Sequence, residues 1–371
     1  FLKERMVSSF ITGQKRVGKT SLARAVESNV TLAARGKDFA ILYEEYGQYS
    51  RMDPVETVAA LGRDIAEFLC AQLGPTTQQF DVNFQGTLAP LSKIADALAK
   101  QHPQKRFLVI LDEFDEIHPD MYRAGALAEA FFSNLRALSA KKNLAFLLVG
   151  GERMPFVISA QGDQLNKLVR EPLDYFNRVE EWDDYVELVS RPTKDALSWS
   201  VLAVNRLYDL TNGHPYYTKL LCNKAYSIAV EERDTDVTSH EVNRAAYKLT
   251  SELDSNAFAH IWKDGIANDG APAEVIEMRR RRLLCAISRV LRDRKVVSVD
   301  SIADYRGGLK LTQAEIPILL NDLMRRGFIL ERQGDYEFTI PLFSMWLVEH
   351  GAAQLISDSL AEDYELQAAA S

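Results

Sequence analysis

The chain has 371 residues, 47% of them hydrophobic and 26% charged, with 44 basic against 52 acidic side chains and a formal net charge of −8. That composition excludes a disordered polymer, and at roughly 150 residues per domain the length calls for two or three domains, each able to bury its own core. No apolar run reaches the roughly 18 residues of a membrane span. No basic-then-apolar leader opens the chain, and Cys70, Cys222 and Cys285 are too scattered for a disulfide framework or a zinc cluster, so a reduced, cytoplasmic protein is expected.

The chain begins at Phe1 without a methionine, and Gly13 already opens a glycine motif, so an upstream segment of the native polypeptide is expected. Met6 to Thr12 reads as a short strand feeding the loop GQKRVGKT, and Ser21 to Ser28 continues as a helix. A second strand is predicted at Phe39 to Tyr43, a helix from about Pro54 to Leu73, and a polar loop from Gly74 to Gly86. The run RFLVIL, Arg106 to Leu111, is continuously apolar after its first residue, as a strand buried on both faces of a parallel sheet must be, and it ends in Asp112. A helix over Gly125 to Ser139 leads to a second such strand, Leu144 to Val149, and a last strand is placed near Arg178 to Trp182. Strands alternating with helices predict a doubly wound parallel-sheet α/β domain over residues 1–182.

Helical periodicity then takes over at Asp184 to Ser190, Trp199 to Leu210 and Tyr216 to Glu231, giving a helical domain over 183–270. A long basic helix from about Pro272 to Arg292, a short helix near Ser301, and a helix from Thr312 to Arg325 with Glu315 completing a capping box follow. Phe328 to Glu331 and Tyr336 to Ile340 make a hairpin across a glycine turn, and the order of three helices and a hairpin is that of a winged helix over 271–350. Residues 351–371, acidic and ending in AAAS, read as a tail, either a frayed helix or a linker. Arg279 to Arg332 holds 13 basic and 6 acidic residues, a local +7 that leaves −15 for the rest.

Gly13, Gln14, Lys15, Arg16, Val17, Gly18, Lys19 and Thr20 satisfy GxxxxGK[ST] at every defined position, with Ser21 next in the helix. In such a loop the glycines let backbone N–H groups face a β-phosphate, the helix presents its positive end, Lys19 neutralises β/γ oxygens and the Thr20 hydroxyl ligates Mg²⁺. The partner acid is supplied by FLVILDEFDEI: Asp112 is placed to hold Mg²⁺ through a water, and Glu113 to orient the attacking water in ATP hydrolysis. Asp115 and Glu116 are expected in a solvated loop.

GQKRVGKTSL, VILDEFDEI, NLAFLLVGGERM, TNGHPYYTKLL and the closing PLFSMWL together resemble the STAND branch of the AAA+ ATPases, close to the archaeal and bacterial origin-recognition-like ATPases, over residues 6 to 350. The resemblance implies ATP and Mg²⁺ as cofactors and makes residues 183–270 a lid, with His214 and Pro215 lining the adenine end of the nucleotide. A helix-breaking loop between two helices accounts for Gly213 and Pro215 equally well. Where the family carries a polar sensor of the γ-phosphate this sequence has Gly150, Gly151, Glu152 and Arg153, which leaves Arg153 as the sensor candidate. Arg136, Arg170 and Arg178 are eligible as arginine fingers, and none stands out.

The resemblance further implies a nucleotide-controlled switch that assembles as a homo-oligomer or engages a partner protein, in signalling or defence; the alternative is an origin-recognition-like or helicase-loading ATPase on DNA. The third helix of the C-terminal module begins Gln313, Ala314, Glu315, Ile316, Pro317, without arginine or lysine where a recognition helix would enter the major groove. Sequence-specific DNA binding, backbone-only nucleic-acid contact and an intramolecular or partner-facing docking role therefore all stay open, with docking preferred. Phe343 and Trp346 are expected as core anchors of that module.

Overall fold

The computed structural model describes residues 6–32, 39–49, 53–74, 80, 83–123, 125–264 and 272–357. The chain forms two compact units, Phe1–Leu173 and Asp174–Ser371.

In the first unit, five strands, β1 (Ser9–Thr12), β2 (Phe39–Glu45), β3 (Arg106–Asp112), β4 (Leu144–Gly150) and β5 (Val169–Pro172), lie in the order β2-β3-β4-β1-β5, with every pairing parallel. The helices are α1 (Lys19–Leu32), α2 (Pro54–Ala71), α3 (Pro90–Gln101), α4 (Ala126–Ser139) and α5 (Met154–Ser159). Period-two alternation along the central strands feeds two cores. Phe107, Val109, Leu111, Phe146 and Leu148 face α2, α3 and α4, whereas Leu108, Ile110, Ala145, Leu147 and Val149 face the side covered by Ala23 of α1. Burial on both faces is why RFLVIL and LAFLLV carry almost no polar residue.

Register sets where chemistry can occur. Thr12 pairs with Gly150 on one side and Pro172 on the other, and Asp112 pairs with Glu45, so all five strands end at one edge. That carboxyl edge is where open parallel sheets present their loops to ligands.

The second unit is helical: α6 (Trp182–Ser190), α7 (Val201–Thr211), α8 (Pro215–Glu232), α9 (Ser239–Glu252), α10 (His260–Lys263), α11 (Ala273–Arg292), α12 (Val299–Tyr305), α13 (Glu315–Arg325) and α14 (Pro341–Trp346). Two short ladders accompany them, parallel β6 (Ser198–Trp199) with β7 (Asp236–Val237), and the antiparallel hairpin β8 (Ile329–Arg332) with β9 (Asp335–Phe338). One apolar cluster runs through the whole unit. Phe258 lies against Phe343 and Trp346 with ring centroids 5.1 and 4.8 Å apart, and the Trp346 indole N–H donates to the Leu253 carbonyl at 3.0 Å. No helix among the described residues is long and apolar enough to cross a membrane.

Several predicted elements are corrected. The strand expected near Arg178 to Trp182 is instead β5, Val169–Pro172; residues 177–181 form a turn in which the Asn177 side chain accepts from the N–H groups of Val179 and Glu180, and Trp182 opens α6. Two short strands, β6 and β7, also lie beyond Trp182. Helix α1 begins at Lys19 rather than Ser21, and α13 begins at Glu315 rather than Thr312, although Glu315 does reach back to accept from the Thr312 N–H and hydroxyl at 2.8 and 2.7 Å. The expected tail, 351–371, is helical over 352–357, and its remainder lies outside the described residues.

Candidate functional site

The glycine loop leaves β1 at Thr12 and enters α1 at Lys19. Two positions in it require glycine. A Cβ on Gly13 would stand 2.2 Å from the Leu173 carbonyl oxygen, and Gly18 has φ +106°, with nothing within 4 Å of where a Cβ would project. The backbone after Thr12 thus passes close under the chain leaving β5 and then opens at the start of α1. Val17 is buried and anchors the loop, whereas Lys15, Arg16, Thr20 and Ser21 are exposed and Gln14 is half-buried.

Lys19 turns inward from α1, and its ammonium donates to the Gln14 carbonyl at 2.7 Å. Burial pushes this lysine below its usual range, while Asp115, Asp112 and Glu152 oppose that shift by their charge. The loop lysine and the acids after β3 and β4 therefore share one electrostatic environment.

Asp112, 3% exposed, closes β3. Its Oδ1 accepts from the Glu113 N–H at 2.9 Å and its Oδ2 from the Tyr43 hydroxyl on β2 at 2.5 Å. The Arg24 guanidinium from α1 covers the Tyr43 ring, 3.4 Å from its centroid. Burial and the bond to Asp112 raise the Tyr43 phenol above its ordinary range. Glu113 is left-handed at φ +56°, and a Cβ on Gly47 would lie 2.7 Å from its Oε2, so position 47 has no room for a side chain while Glu113 keeps this pose. Its carboxyl is held above the usual range near 4.5, first by burial and then by Glu116, Glu45, Asp112 and Asp115.

The left-handed residue and the 3-10 turn Phe114–Glu116 fold the chain back, so Asp115 sits against the tip of β4: Cβ atoms on Gly150 and Gly151 would come 2.6 and 3.1 Å from its carboxylate oxygens. Asp115 is half-buried there rather than in a solvated loop. A second acid three positions after Asp112 was the available signal, but only the reversal at Glu113 gives it meaning. Glu152, just past β4, is the other acid acting on Lys19, and nothing in its spacing singles it out. Arg153 donates to the Tyr122 hydroxyl at 3.1 Å.

Gly13 to Ser21, Asp112 and Glu113 are thus gathered at the carboxyl edge of the sheet in the first unit. His214 and Pro215 belong to the second unit. Gly213, at φ +73°, accepts at its carbonyl from the Phe176 N–H at 3.1 Å, and a Cβ on it would stand 2.5 Å from the Phe176 oxygen. His214 caps α8, its Nδ1 accepting from the Tyr216 N–H at 3.3 Å; its ring is 0% exposed between Tyr175 and Tyr217. Pro215 is the first residue of α8, where its missing N–H costs nothing. Of the eligible arginines, Arg136 reaches Gln164 at 3.5 Å, Arg170 is exposed on β5, and Arg178 pairs with Asp209 at 2.8 Å over the rings of Trp182 and Tyr208.

The donor set suits magnesium. Among the described residues no three His, Cys, Asp or Glu side chains form a metal cage. A hydroxyl at Thr20 and a carboxylate at Asp112 are the oxygen donors that Mg²⁺ uses when it shares its shell with substrate phosphates and water.

Residues 6–157 match the family model described as AAA domain. The first unit has the AAA+ P-loop fold. Across the whole chain, the architecture is similar to the Walker-type ATPase of Pyrococcus abyssi, at 16% identity with 93% of this chain and 92% of that one covered and a TM-score of 0.59. It is also similar to the ORC2 protein of Aeropyrum pernix in its ADPNP-ADP complexes, at 14% identity, covering 96% of this chain and 89% of that one, with a TM-score of 0.56. No curated protein matches the sequence. At these identities the likeness of AAA+ structures defines architecture, and chemistry has to be argued from the residues.

Most arginines of the C-terminal part are engaged within their own unit. Arg280, 3% exposed, bonds Asp322 at 2.8 Å and the carbonyls of Trp262 and Asp264 at 3.1 and 2.5 Å. Arg326, 8% exposed, donates to the His260 and Ile261 carbonyls at 2.7 and 2.8 Å. Arg279 pairs with Glu315 at 3.0 Å, Arg281 with Glu277, and Arg289 and Arg292 bind the carbonyls of Tyr305, Gly307 and Val348.

Proposed function

We propose that the chain is an ATP-binding and hydrolysing molecular switch of the STAND/AAA+ type, in which nucleotide state controls conformation or assembly, in a signalling or defence role. The observation that carries this reading is the gathering of Lys19, Asp112, Glu113 and Asp115 around the mouth of a glycine loop at the carboxyl edge of a parallel sheet. In it, Gly13 to Gly18 cradle the phosphates with their N–H groups and Lys19 neutralises β/γ oxygens, with Ser21 beside them at the start of α1. Thr20 and Asp112 would hold magnesium, Asp112 through a water, and the ion would supply charge neutralisation at the phosphates. Glu113, whose carboxyl is held above its usual range by burial and its acidic neighbours, would accept the proton of the attacking water. Arg153 is the candidate sensor beyond β4, and its bond to Tyr122 is the contact it would exchange.

In this reading residues 183–270 would be the lid, with Pro215 at the base end of the nucleotide and His214, buried between Tyr175 and Tyr217, behind it as the cap of α8. Residues 271–350 are a winged helix used for docking, because most of its arginines, Arg279, Arg280, Arg281, Arg289, Arg292 and Arg326 among them, already bond carbonyls and carboxylates of their own unit. Subunit assembly or a partner protein is the output. Single-turnover hydrolysis of ATP by the wild type and Glu113→Gln tests the chemistry: equal rates would remove Glu113 from its role. The particle mass with and without a non-hydrolysable ATP analogue tests assembly, and no change would remove it. The second reading, an origin-recognition-like DNA-binding ATPase, is favoured by the likeness to the ORC2 protein over 96% of the chain. A gel-shift titration across salt decides: nanomolar duplex affinity with a steep salt slope supports it, and no binding excludes it.

A further inference from the structure

We propose that Tyr43 is a positioning residue, whose hydroxyl fixes the Asp112 carboxylate in the orientation needed to receive magnesium-loaded nucleotide. This rests on the nucleotide reading above.

Three observations carry the inference. First, the two oxygens of Asp112 are held from different elements, Oδ1 by the Glu113 N–H at 2.9 Å and Oδ2 by the Tyr43 hydroxyl at 2.5 Å. A carboxylate gripped at one oxygen can rotate about its terminal torsion, which is broad for aspartate; gripped at both, it has a fixed plane. Each oxygen can still accept a second bond in that plane, so a metal-bound water meets a prepared acceptor. Second, the sheet has no need of this bond. Phe39 to Glu45 of β2 pairs with Arg106 to Asp112 of β3 along seven residues, and Tyr43 lies opposite Ile110 in that ladder. Third, the Tyr43 ring is fixed in turn by Arg24, stacked 3.4 Å from its centroid. Arg24 and Lys19 stand on the same helix, so the helix that follows the phosphate loop also sets, through Tyr43, the acid at the end of β3.

The test uses the full chain and a fluorescent ATP analogue, with binding measured in EDTA and across a magnesium titration. Tyr43→Phe keeps the ring under Arg24 and removes one hydrogen bond to a charged group, so the magnesium concentration at half-maximal binding should rise by roughly tenfold while affinity in EDTA stays at the wild-type value. In an Asp112→Asn background Tyr43→Phe should cause no further change, because it acts only through that carboxylate. An unchanged magnesium midpoint, or equal weakening with and without metal, overturns the proposal. If Tyr43→Phe does not fold, Arg24→Met serves: it strips the cation from the same ring and should move the midpoint in the same direction, and no movement overturns the inference. A wild type that binds no nucleotide under any condition removes the functional reading, and this positioning role with it.

Discussion

Arg280→Ala separates a structural arginine cluster from a nucleic-acid surface. The side chain is 3% exposed and gives its donors to Asp322, to the Trp262 carbonyl and to the Asp264 carbonyl. Breaking a buried pair costs about 3–5 kcal/mol because the remaining charge is stranded. Asp322 here retains Arg325 at 3.3 Å and Arg326 at 3.7 Å, which places the loss at the lower end, about 3 kcal/mol. For a unit of this size that is a fall in melting temperature of about 6–12 °C. All four tryptophans, Trp182, Trp199, Trp262 and Trp346, lie in the second unit, so indole fluorescence in a urea titration reads its unfolding alone. Arg332→Ala, exposed at the end of β8, is the control and should stay within about 0.5 kcal/mol. The reasoning fails if Arg280→Ala leaves the urea midpoint where it was and instead lowers affinity for duplex DNA.

Lys19→Ala should abolish nucleotide binding while leaving the melting temperature close to wild type, since it removes a lysine whose burial is itself unfavourable; fluorescence of a nucleotide analogue and thermal unfolding check both halves. Gly213→Ala forces a side chain into a left-handed backbone, at about 1–2 kcal/mol. It also thrusts a methyl against the Phe176 carbonyl, so the indole-detected stability of the second unit should fall by about 2–4 kcal/mol in all. For Glu113, the folded chain binds the proton more tightly than the unfolded chain because its carboxyl is raised. Its contribution is therefore most favourable below the ordinary value near 4.5 and shrinks as pH rises through the raised one. Glu113→Gln should melt above wild type at pH 8, with the gap closing by pH 4, and a gap of the opposite sign would refute the assignment.

How much of this was legible in the sequence follows from which signals are local. The phosphate loop is contiguous, and RFLVIL and LAFLLV announce buried strands because both faces are covered. β5 carries no such mark: VREP alternates half-buried and exposed residues, sits at the sheet edge and ends in a proline that only an edge accepts. The pattern alone therefore points farther on, to Arg178–Trp182, where the structure has the turn at Asn177. Helices α3 and α9 are absent from the sequence reading, although the amphipathic face of the one and the capping box of Thr238 and Glu241 on the other are local. Tyr43 is another matter. Its partner is 69 residues away, and only the β2-β3 register brings the two together. The +7 of the C-terminal part misleads for the same reason, because charge counted along the chain ignores the carbonyls and carboxylates that fold onto Arg280, Arg289 and Arg326.

The acids around the phosphate loop constrain what can enter it. Glu45 stands opposite Asp112 in the sheet register, Glu113 is raised by Glu116, Glu45, Asp112 and Asp115, and Lys19 feels Asp115, Asp112 and Glu152. Two like unit charges 4 Å apart repel by about 4 kcal/mol at the effective dielectric near a protein surface. A bare triphosphate arriving among these carboxylates therefore meets a penalty that Lys19 alone does not offset, with its own charge already opposed by burial. A divalent cation held by Asp112 would turn the same acids from repulsive to attractive. Under the proposed function, the acidic edge then selects the metal-loaded form of the nucleotide, and it gives a physical reason for fixing Asp112 at both oxygens: the carboxylate that receives the metal decides whether its neighbours help or hinder.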